Sequence, residues 1–416
     1  MRRRTDPAET RDGAQRALRV GVDGSCWSNR RGFGRFTRSL VPAMVAHGRH
    51  DYVLVIDEAS LAGADVPEGM EVVPVRVSER PAEAASVDGS RRVGDVVSMS
   101  RAVRGARCDV VFFPATYSYF PVLGAPVVVT VHDALAEALP DLVLAGRRAR
   151  VLWTVKQRLA LLQARAVVTV SQASREAVLS RLRVDPRRLH VIREAPDPMF
   201  VPLDAGARAP LLGRLGLRAG DTYVLYVGGL SPHKNVGVLV QAFEEIAPDH
   251  PGLRLVVAGD VSGDPFVTPA AVAALRSRIA SGPARDRILV TGFVEDDELV
   301  ALYSGAVATV LPSLGEGFGL PAAESAACGT PVVASDIAAL RELLGDAALY
   351  APPADSAAFA RALRTLLDAP GERERLAGAS LRLAATWSWD AAAETVVSVL
   401  ERSARTRGPA PASGAV

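Results

Sequence analysis

Short runs of apolar, mostly β-branched residues alternate along the chain with longer segments whose apolar residues recur at helical spacing. In the first half we predict strands at 17–23, 52–57, 70–77, 109–113, 126–133, 166–171 and 189–195. In the second half we predict strands at 223–229, 253–260, 288–294, 307–313, 331–335 and 348–352. Helical patterns lie between most of them, for example at 35–47 and 147–164. This alternation is typical of parallel sheets covered by helices on both faces.

The order of the elements predicts an α/β protein with two doubly wound, Rossmann-like parallel-sheet domains that face a cleft. Residues 196–213 contain four prolines and little periodicity, which favours a linker between the domains. The predicted division is a disordered N-terminus at 1–16, a first domain at 17–200, a linker at 201–220, a second domain at 221–387, a C-terminal helix at 388–404 and a disordered tail at 405–416. We expect the C-terminal helix to pack back on the first domain. We also expect the first domain to bind the acceptor.

Length and charge limit the kind of protein. A chain of 416 residues is long enough for two domains. Its 48 Lys and Arg nearly balance 46 Asp and Glu, so we expect no nucleic-acid partner. Three widely spaced cysteines, Cys26, Cys108 and Cys328, fit neither a disulfide framework nor a metal cluster and favour the reducing cytoplasm.

The segment YVGGLSPHKN, which ends at Asn235, joins a predicted strand to a predicted helix. Glycines and a helix N-terminus offer free backbone N–H groups and a positive dipole end, and Lys234 adds a full charge. The sequence differs from the G-x-x-x-x-G-K-[ST] phosphate loop. An anion site and an ordinary turn with a surface lysine both remain open here.

The segment SLGEGFGLPAAES places two carboxylates, Glu316 and Glu324, on either side of a glycine-rich turn. Its glycines let a ligand approach the backbone, and a helix predicted to begin near Leu320 offers its N–H groups. A diphosphate held between this turn and Lys234 would be neutralised without a metal, and the chain has no D-x-D motif. Vicinal hydroxyls suit carboxylates, so Glu324 could hold a ribose and Glu316 the sugar or its developing positive charge.

An acidic run at 295–298 begins another predicted helix, where acids favour the helix dipole. We therefore assign this run a local, structural role.

The first half supplies a glycine loop and a histidine. In NRRGFGRF, Gly32 comes nine residues after Asp23, which is too far for a dinucleotide fingerprint that directly follows a strand. A loop at Gly32 and Gly34 that faces the phosphate site of the other domain is the better interpretation. His132 ends the predicted strand 126–133 and can contact a substrate hydroxyl, or be satisfied inside a loop.

Six segments together resemble the family-4-type retaining glycosyltransferases with the GT-B fold, also called glycosyl transferases group 1. They are GFGRFTRSL, VTVHD, VTVSQASREAV, VGGLSPHKN, VTGFVEDDELVALYSGA and GEGFGLPAAESAACGTPVVASD. The resemblance covers nearly the whole chain, and its most specific part is the E-x7-E motif. Gly229 stands where many relatives carry an arginine, and the G-x-x-x-P-x-K-N variant resembles a mannosyltransferase-like branch.

The resemblance implies roles for particular residues. The implied catalytic residues are Glu316, His132 and Lys234, with Glu316 and His132 on the transferred sugar. The implied substrate-binding residues are Gly32, Gly34, Lys234, Phe318, Gly319, Leu320 and Glu324. In this scheme Glu324 holds the ribose, the amides of Phe318, Gly319 and Leu320 hold the sugar and diphosphate together with Lys234, and no metal or separate cofactor takes part.

The predicted function is transfer of a sugar from a nucleotide diphosphate sugar, with GDP-mannose or a UDP-sugar favoured, and retention of the anomeric configuration. The acceptor is unidentified and is expected to be a glycan, a lipid-linked molecule or a small metabolite. Two alternatives stay open: a sugar-nucleotide epimerase on the same fold, and a non-catalytic subunit that binds nucleotide sugars.

Residues 147–165 form a predicted amphipathic helix. Leu152, Val155, Leu159 and Leu162 fall on one face, and the basic residues are Arg148, Lys156, Arg158 and Arg165. One interpretation is a helix packed on its own sheet with a solvated basic face. The other is peripheral docking on anionic lipid at the cytoplasmic face of a membrane.

Overall fold

The computed structural model describes residues 16–30, 32–78, 92–144, 146–218, 220–259 and 269–405, which form two parallel sheets. The first sheet has seven strands and the second has six, and each described strand pair is parallel. The predicted α/β class with two doubly wound domains is confirmed. Of the thirteen predicted strands, each corresponds to one in the structure, although β5 ends earlier than predicted.

The first sheet has the order β3-β2-β1-β4-β5-β6-β7. Its strands are β1 (Arg19–Asp23), β2 (Asp51–Asp57), β3 (Met70–Val75), β4 (Val110–Phe113), β5 (Val127–Thr130), β6 (Ala164–Thr169) and β7 (Leu189–Val191). The α-helices are α1 (Gly32–Ala46), α2 (Glu58–Leu61), α3 (Val93–Gly105), α4 (Leu135–Ala138), α5 (Pro140–Val143), α6 (Gly146–Gln163) and α7 (Gln172–Arg181). The central strands β4 and β5 are buried along their whole length, because helices cover both faces of the sheet.

The second sheet has the order β10-β9-β8-β11-β12-β13. Its strands are β8 (Thr222–Val227), β9 (Leu253–Ala258), β10 (Ile288–Gly292), β11 (Ala308–Leu311), β12 (Val332–Ser335) and β13 (Ala348–Ala351). The helices of this half are α8 (Ala205–Arg214), α9 (Val236–Ile246), α10 (Pro269–Ser281), α11 (Asp296–Gly305), α12 (Leu320–Ala327), α13 (Ala338–Leu344), α14 (Ser356–Asp368), α15 (Pro370–Ala384) and α16 (Trp389–Arg405).

The segments that join and end the domains have structure of their own. The predicted linker contains α8, whose first turn is capped when the Asp204 side chain accepts a hydrogen bond from the Ala207 amide at 2.8 Å. The last helix, α16, packs on α1 and on strands β4 to β6 of the first sheet. The predicted disordered ends lie almost entirely outside the described residues.

Cys26, Cys108 and Cys328 are all buried, and no disulfide joins them. Within the described ranges, no helix combines the length and the apolar character that crossing a bilayer requires.

Candidate active site at the cleft

The site of the second domain lies where the order of its strands reverses. Strands β8 and β11 are neighbours at this point, and the loops that follow them lie side by side at the carboxyl edge of the sheet. The Leu314 amide donates a hydrogen bond to the His233 carbonyl oxygen at 2.8 Å, and Asn235 Nδ2 donates to the Pro312 carbonyl oxygen at 3.0 Å. Ligands of doubly wound sheets bind at such switch points.

Lys234 and Glu316 form the central ion pair of these two loops. Lys234 Nζ lies 2.8 Å from Glu316 Oε1 and 2.9 Å from Oε2, and Ser313 Oγ donates to Oε1 at 2.6 Å. Burial by itself would raise the pKa of Glu316, but the nearby ammonium and these hydrogen bonds hold the pKa below its ordinary value. Glu316 is therefore a fixed negative charge, and Lys234 keeps one N–H for another acceptor.

The turn after Glu316 presents backbone amides. Gly319 has φ +101°, and a Cβ there would lie 2.8 Å from a Leu340 methyl carbon, so only glycine fits. Helix α12 begins at Leu320. The amides of Phe318, Gly319 and Leu320 donate to no acceptor among the described residues. Three unpaired N–H groups at a helix N-terminus form a ready anion site.

Glu324 lies one turn further along α12 and is almost fully buried, with 3% exposure. Tyr303 Oη donates to its Oε2 at 2.9 Å, and Arg35 Nη1 of the first domain lies 3.2 Å from its Oε1. Burial raises the pKa of Glu324 to about 7, and Arg35 and Tyr303 offset that effect only in part.

Arg35 also pairs with Asp296, so a single guanidinium joins the first domain to two acids of the second. Nearby, Arg30 lies 3.6 Å from Glu295, and its guanidinium stacks over the Phe293 ring at 4.6 Å. The local, structural role assigned to the acidic run 295–298 is therefore incomplete. Its first two acids pair with arginines of the other domain, which no local pattern indicates.

His132 lies beyond the end of β5, in a loop rather than in the predicted strand. Its Nε2 donates to the Pro114 carbonyl oxygen at 2.9 Å, and its Nδ1 lies 3.3 Å from Glu194 Oε1. The rings of Phe33 and Phe36 contact the imidazole edge-on, at 4.9 and 4.6 Å. Both ring nitrogens thus have protein partners, which agrees with the interpretation of a histidine satisfied inside a loop.

The two domains meet beside this histidine. The Gly317 carbonyl oxygen accepts hydrogen bonds from Ser171 Oγ at 2.6 Å and from Ser174 Oγ at 2.9 Å. A Cβ at position 317 would lie 2.7 Å from the His132 carbonyl oxygen. Gly317 therefore allows the loop of Glu316 to lie directly against the loop of His132.

The two glycines of the first domain differ. A Cβ at Gly34 would overlap the Asn29 carbonyl oxygen, whereas Gly32 has open space around it at the start of α1. Gly34 is thus required by the packing of its own loop. Only Gly32 has open space where a ligand could lie.

The space beside Glu324 is small. A cavity of about 50 Å³ lies between the domains, lined among others by Arg35, Asp296 and Glu324, which is far below the few hundred Å³ of a nucleotide pocket. A larger groove of about 500 Å³ lies nearby, between residues 195–202 and Trp387–Asp390, and its walls include neither Glu316 nor Lys234. A nucleoside at Glu324 thus requires Arg35 to move or the domains to separate.

Sequence reasoning brought together Lys234, Glu316 and the α12 turn but missed four contributors. These are Arg35, Tyr303, Ser171 and Ser174, and each belongs to a segment that carries the family resemblance. Their positions in those segments were the available signal. In the described part of the chain, no three acidic, histidine or cysteine side chains are grouped as a metal site would require.

Two family models match the chain. Residues 30–198 match Glycosyltransferase Family 4, and residues 211–381 match Glycosyl transferases group 1. The first match covers strands β2 to β7 and His132, and the second covers the loops of Lys234 and Glu316 and the helix of Glu324.

Individual relatives are similar over part of their length. The chain is 35% identical over 248 residues to a D-inositol 3-phosphate glycosyltransferase of Xylanimonas cellulosilytica, which covers 58% of each protein. It is 31% identical over 229 residues to O-antigen chain mannosyltransferase B of Escherichia coli, covering 55% of this chain and 58% of the relative. The chain thus spans less than two thirds of these relatives.

Among solved structures, Anabaena Alr3699/HepE in complex with UDP and glucose aligns with a TM-score of 0.70. The alignment covers 92% of this chain and 99% of that protein at 19% identity. At this identity the likeness shows the fold alone.

Proposed function

The chain belongs to the glycosyltransferases of the group 1, GT-B class, and from that premise we propose that it transfers a sugar from a nucleotide diphosphate sugar with retention of anomeric configuration. One observation carries the proposal. The partly buried Lys234–Glu316 pair lies next to the three unpaired amides that begin α12, at the switch point of the sheet. A cation, an anion site and a fixed carboxylate in one place suit a sugar diphosphate.

Donor binding divides between the two loops. The remaining N–H of Lys234 and the amides of Phe318, Gly319 and Leu320 would bind the diphosphate oxygens. Gly32 would let the first domain approach the phosphates from the other side. Glu324 would bind the ribose hydroxyls once Arg35 has moved from its carboxylate.

Glu316 would act on the sugar. Its lowered pKa keeps it ionised, and a fixed carboxylate stabilises the positive charge that develops at an anomeric carbon. Lys234 and the helix amides stabilise the departing diphosphate. We propose departure and attack on the same face of the sugar through an oxocarbenium-like state, with His132 shaping the sugar pocket. Because the cation and the amides neutralise the diphosphate, we also propose that no metal is needed.

The proposed donor is GDP-mannose or a UDP-sugar. The resemblance to a mannosyltransferase and the fold shared with a protein solved with UDP and glucose support these two donors. The acceptor would be a glycan, a lipid-linked molecule or a small metabolite. One relative is a D-inositol 3-phosphate glycosyltransferase and another is an O-antigen chain mannosyltransferase, so the relatives support more than one of these classes.

A ligand panel followed by a turnover assay tests the function. We expect one of UDP, GDP, ADP and dTDP to raise the melting temperature of the protein, because a ligand that binds the native state stabilises it. We expect the Glu324→Ala variant to lose that shift. The matching nucleotide sugar should then be consumed only when an acceptor is present, with the anomeric configuration of the product read by NMR.

Other outcomes would overturn the proposal. If the donor is consumed in the absence of any acceptor and the sugar product has a changed configuration, the protein is an epimerase. Binding without turnover across glycan, lipid-linked and small-metabolite acceptors would indicate a nucleotide-sugar-binding subunit. No shift with any of the four nucleotides would contradict the donor site itself.

A further inference from the structure

Helix α6 exposes a stripe of large apolar side chains to solvent. The members of this stripe and their exposures are Val151 62%, Leu152 38%, Val155 51%, Leu159 48% and Leu162 73%. Their spacing places all five on one side of the helix. Single exposed apolar residues are ordinary, but a contiguous set of this kind marks an interaction surface.

The inner side of α6 is already satisfied by other residues. Ala149, Trp153, Gln157 and Ala160 are buried against the domain. The Trp153 ring stacks on the Tyr117 ring at 4.7 Å, and its Nε1 donates to Glu137 Oε1 at 2.7 Å. The helix therefore packs on its domain through these residues, and the apolar stripe faces outward. The interpretation of a helix packed on its own sheet with a solvated basic face does not account for an apolar stripe that is exposed as well.

Positive charge lies among the exposed apolar side chains. Arg147, Arg148 and Arg158 are exposed and share the outward side of the helix with the stripe. The helix sequence contains no acidic residue. One further apolar side chain, Leu123 with 61% exposure, lies beside the end of α6, where Gln163 bonds both the amide and the carbonyl oxygen of Val122.

We propose that this side of α6, together with Leu123, docks on an anionic lipid bilayer. Apolar side chains interleaved with arginines match the acyl boundary and the negative headgroups at the same time. A second copy of this chain matches less well, because two-fold pairing of this side would bring arginines against arginines without acids. The bilayer is therefore the occupant that the charge favours.

The docking surface and the cleft are joined by stacked rings. Tyr117, which stacks on Trp153, contacts Phe33 at 4.6 Å, and Phe33 contacts His132 at 4.9 Å. A bilayer at α6 would thus lie behind the His132 wall of the cleft and favour an acceptor held at the membrane. This consequence for the acceptor rests on the proposed function, whereas the docking does not.

Vesicle co-sedimentation tests the docking. We expect the full chain to bind vesicles of phosphatidylglycerol and phosphatidylcholine at low salt, to bind less as salt rises, and to bind little to phosphatidylcholine alone. Val155→Glu/Leu159→Glu should abolish binding. Arg148→Glu/Arg158→Glu should reduce the partition coefficient at least about tenfold, since each basic residue near an anionic surface contributes strongly. Arg276→Glu/Arg382→Glu, with the same charge change on exposed sites of the second domain, should bind nearly as wild type.

The outcomes separate docking from function. A nucleotide melting-temperature shift that persists in both α6 variants shows that they are folded, so lost sedimentation then reports on the surface. Absence of binding to anionic vesicles at low salt overturns the proposal. A dimer interface on α6 would also overturn it. In that case sedimentation velocity would show a dimer, and Val155→Glu/Leu159→Glu would dissociate the dimer without any effect on vesicle binding. Failure of every nucleotide to shift the wild type would count against the proposed function and leave the docking result standing.

Discussion

Of the two glutamates of the E-x7-E segment, Glu324 is buried and Glu316 is partly buried, and their surroundings differ in kind. Glu316 is paired inside its own domain by Lys234 and Ser313, and its pKa is lowered. Glu324 is held by Tyr303 and by Arg35 of the other domain, and its pKa is raised to about 7. The difference shows that burial alone does not set the charge of a carboxylate, because the distance and number of its partners decide it.

This contrast separates the two proposed tasks. A carboxylate that is ionised in all neutral conditions suits the stabilisation of developing charge. A carboxylate whose pKa lies near neutral pH, and whose main cationic partner belongs to another domain, suits a binding contact that changes when the domains move. Five predictions test the contrast.

The largest effect is expected from Lys234→Met. The variant removes the only cation paired with Glu316 in the described structure and leaves a nearly buried carboxylate. Turnover should fall about 1000-fold, the upper range for one electrostatic contact, and the free energy of unfolding should fall by about 2 kcal/mol. Steady-state kinetics and urea unfolding measure these two effects.

The double variant Lys234→Met/Glu316→Gln serves as the control for the buried charge. It should regain most of the stability and none of the turnover. Wild-type activity should persist in excess EDTA. Abolition of that activity by EDTA, with rescue by magnesium or manganese, would contradict the proposed metal independence, and full turnover in the single variant would contradict the role of Lys234.

Glu316→Gln should reduce turnover about 100-fold while nucleotide affinity stays close to wild type. The amide keeps the shape of the side chain and its acceptor oxygen but loses the negative charge. Turnover assays and calorimetry with the nucleotide measure the two quantities. Glu374→Gln, an exposed site on α15, is the matched control, and equal turnover in both variants would remove Glu316 from the chemistry.

The affinity for the nucleotide sugar should depend on pH through Glu324. A pKa of about 7 means that the carboxylate is mostly protonated at pH 6 and mostly ionised at pH 8. Affinity should therefore be about tenfold weaker at pH 6 than at pH 8 if the ionised form binds the ribose. Calorimetry with the intact nucleotide sugar measures this affinity, because that ligand has no terminal phosphate that titrates in the same pH range. The Glu324→Gln variant should bind the nucleotide sugar weakly and without this pH dependence.

Stability should show the opposite trend. The folded pKa of Glu324 lies above its ordinary value, so the native state binds more protons than the unfolded chain between about pH 5 and pH 7. The contribution of this group to the free energy of unfolding is therefore largest below about pH 5 and falls as the pH rises through 7. Glu324→Gln should flatten that part of the profile in urea unfolding. An unchanged profile would show that Glu324 titrates normally.

The smallest effect is expected from Arg35→Met. Without the guanidinium, the pKa of Glu324 should rise further, and the midpoint of the pH–affinity curve should move upward by about one unit. Arg30→Met removes a neighbouring arginine that pairs with Glu295 instead and should leave the midpoint in place. An identical midpoint in wild type and Arg35→Met would show that Arg35 does not hold the charge of Glu324.

The sequence alone determined the strands and the loops of the second domain. Strand positions follow from short apolar runs, and two glycine-containing loops, each between a strand and a helix, predicted one diphosphate site shared by Lys234 and the turn of Glu316. Both depend on residues close together in the chain or on the general geometry of parallel sheets. For Gly319 the sequence predicted only a glycine-rich turn, and the left-handed φ that demands glycine there came from the structure.

The tertiary structure alone decided which partners complete these groups. Arg35 and Glu324 meet although they are 289 positions apart, and no periodicity links an arginine after one glycine loop to an acid in another domain. For α6, helical spacing identified the face of Leu152, Val155, Leu159 and Leu162 but not its direction. That face points outward because Trp153 and its small neighbours fill the side against the sheet. Ion pairing and burial depend on what the rest of the fold brings near, and local sequence does not specify it.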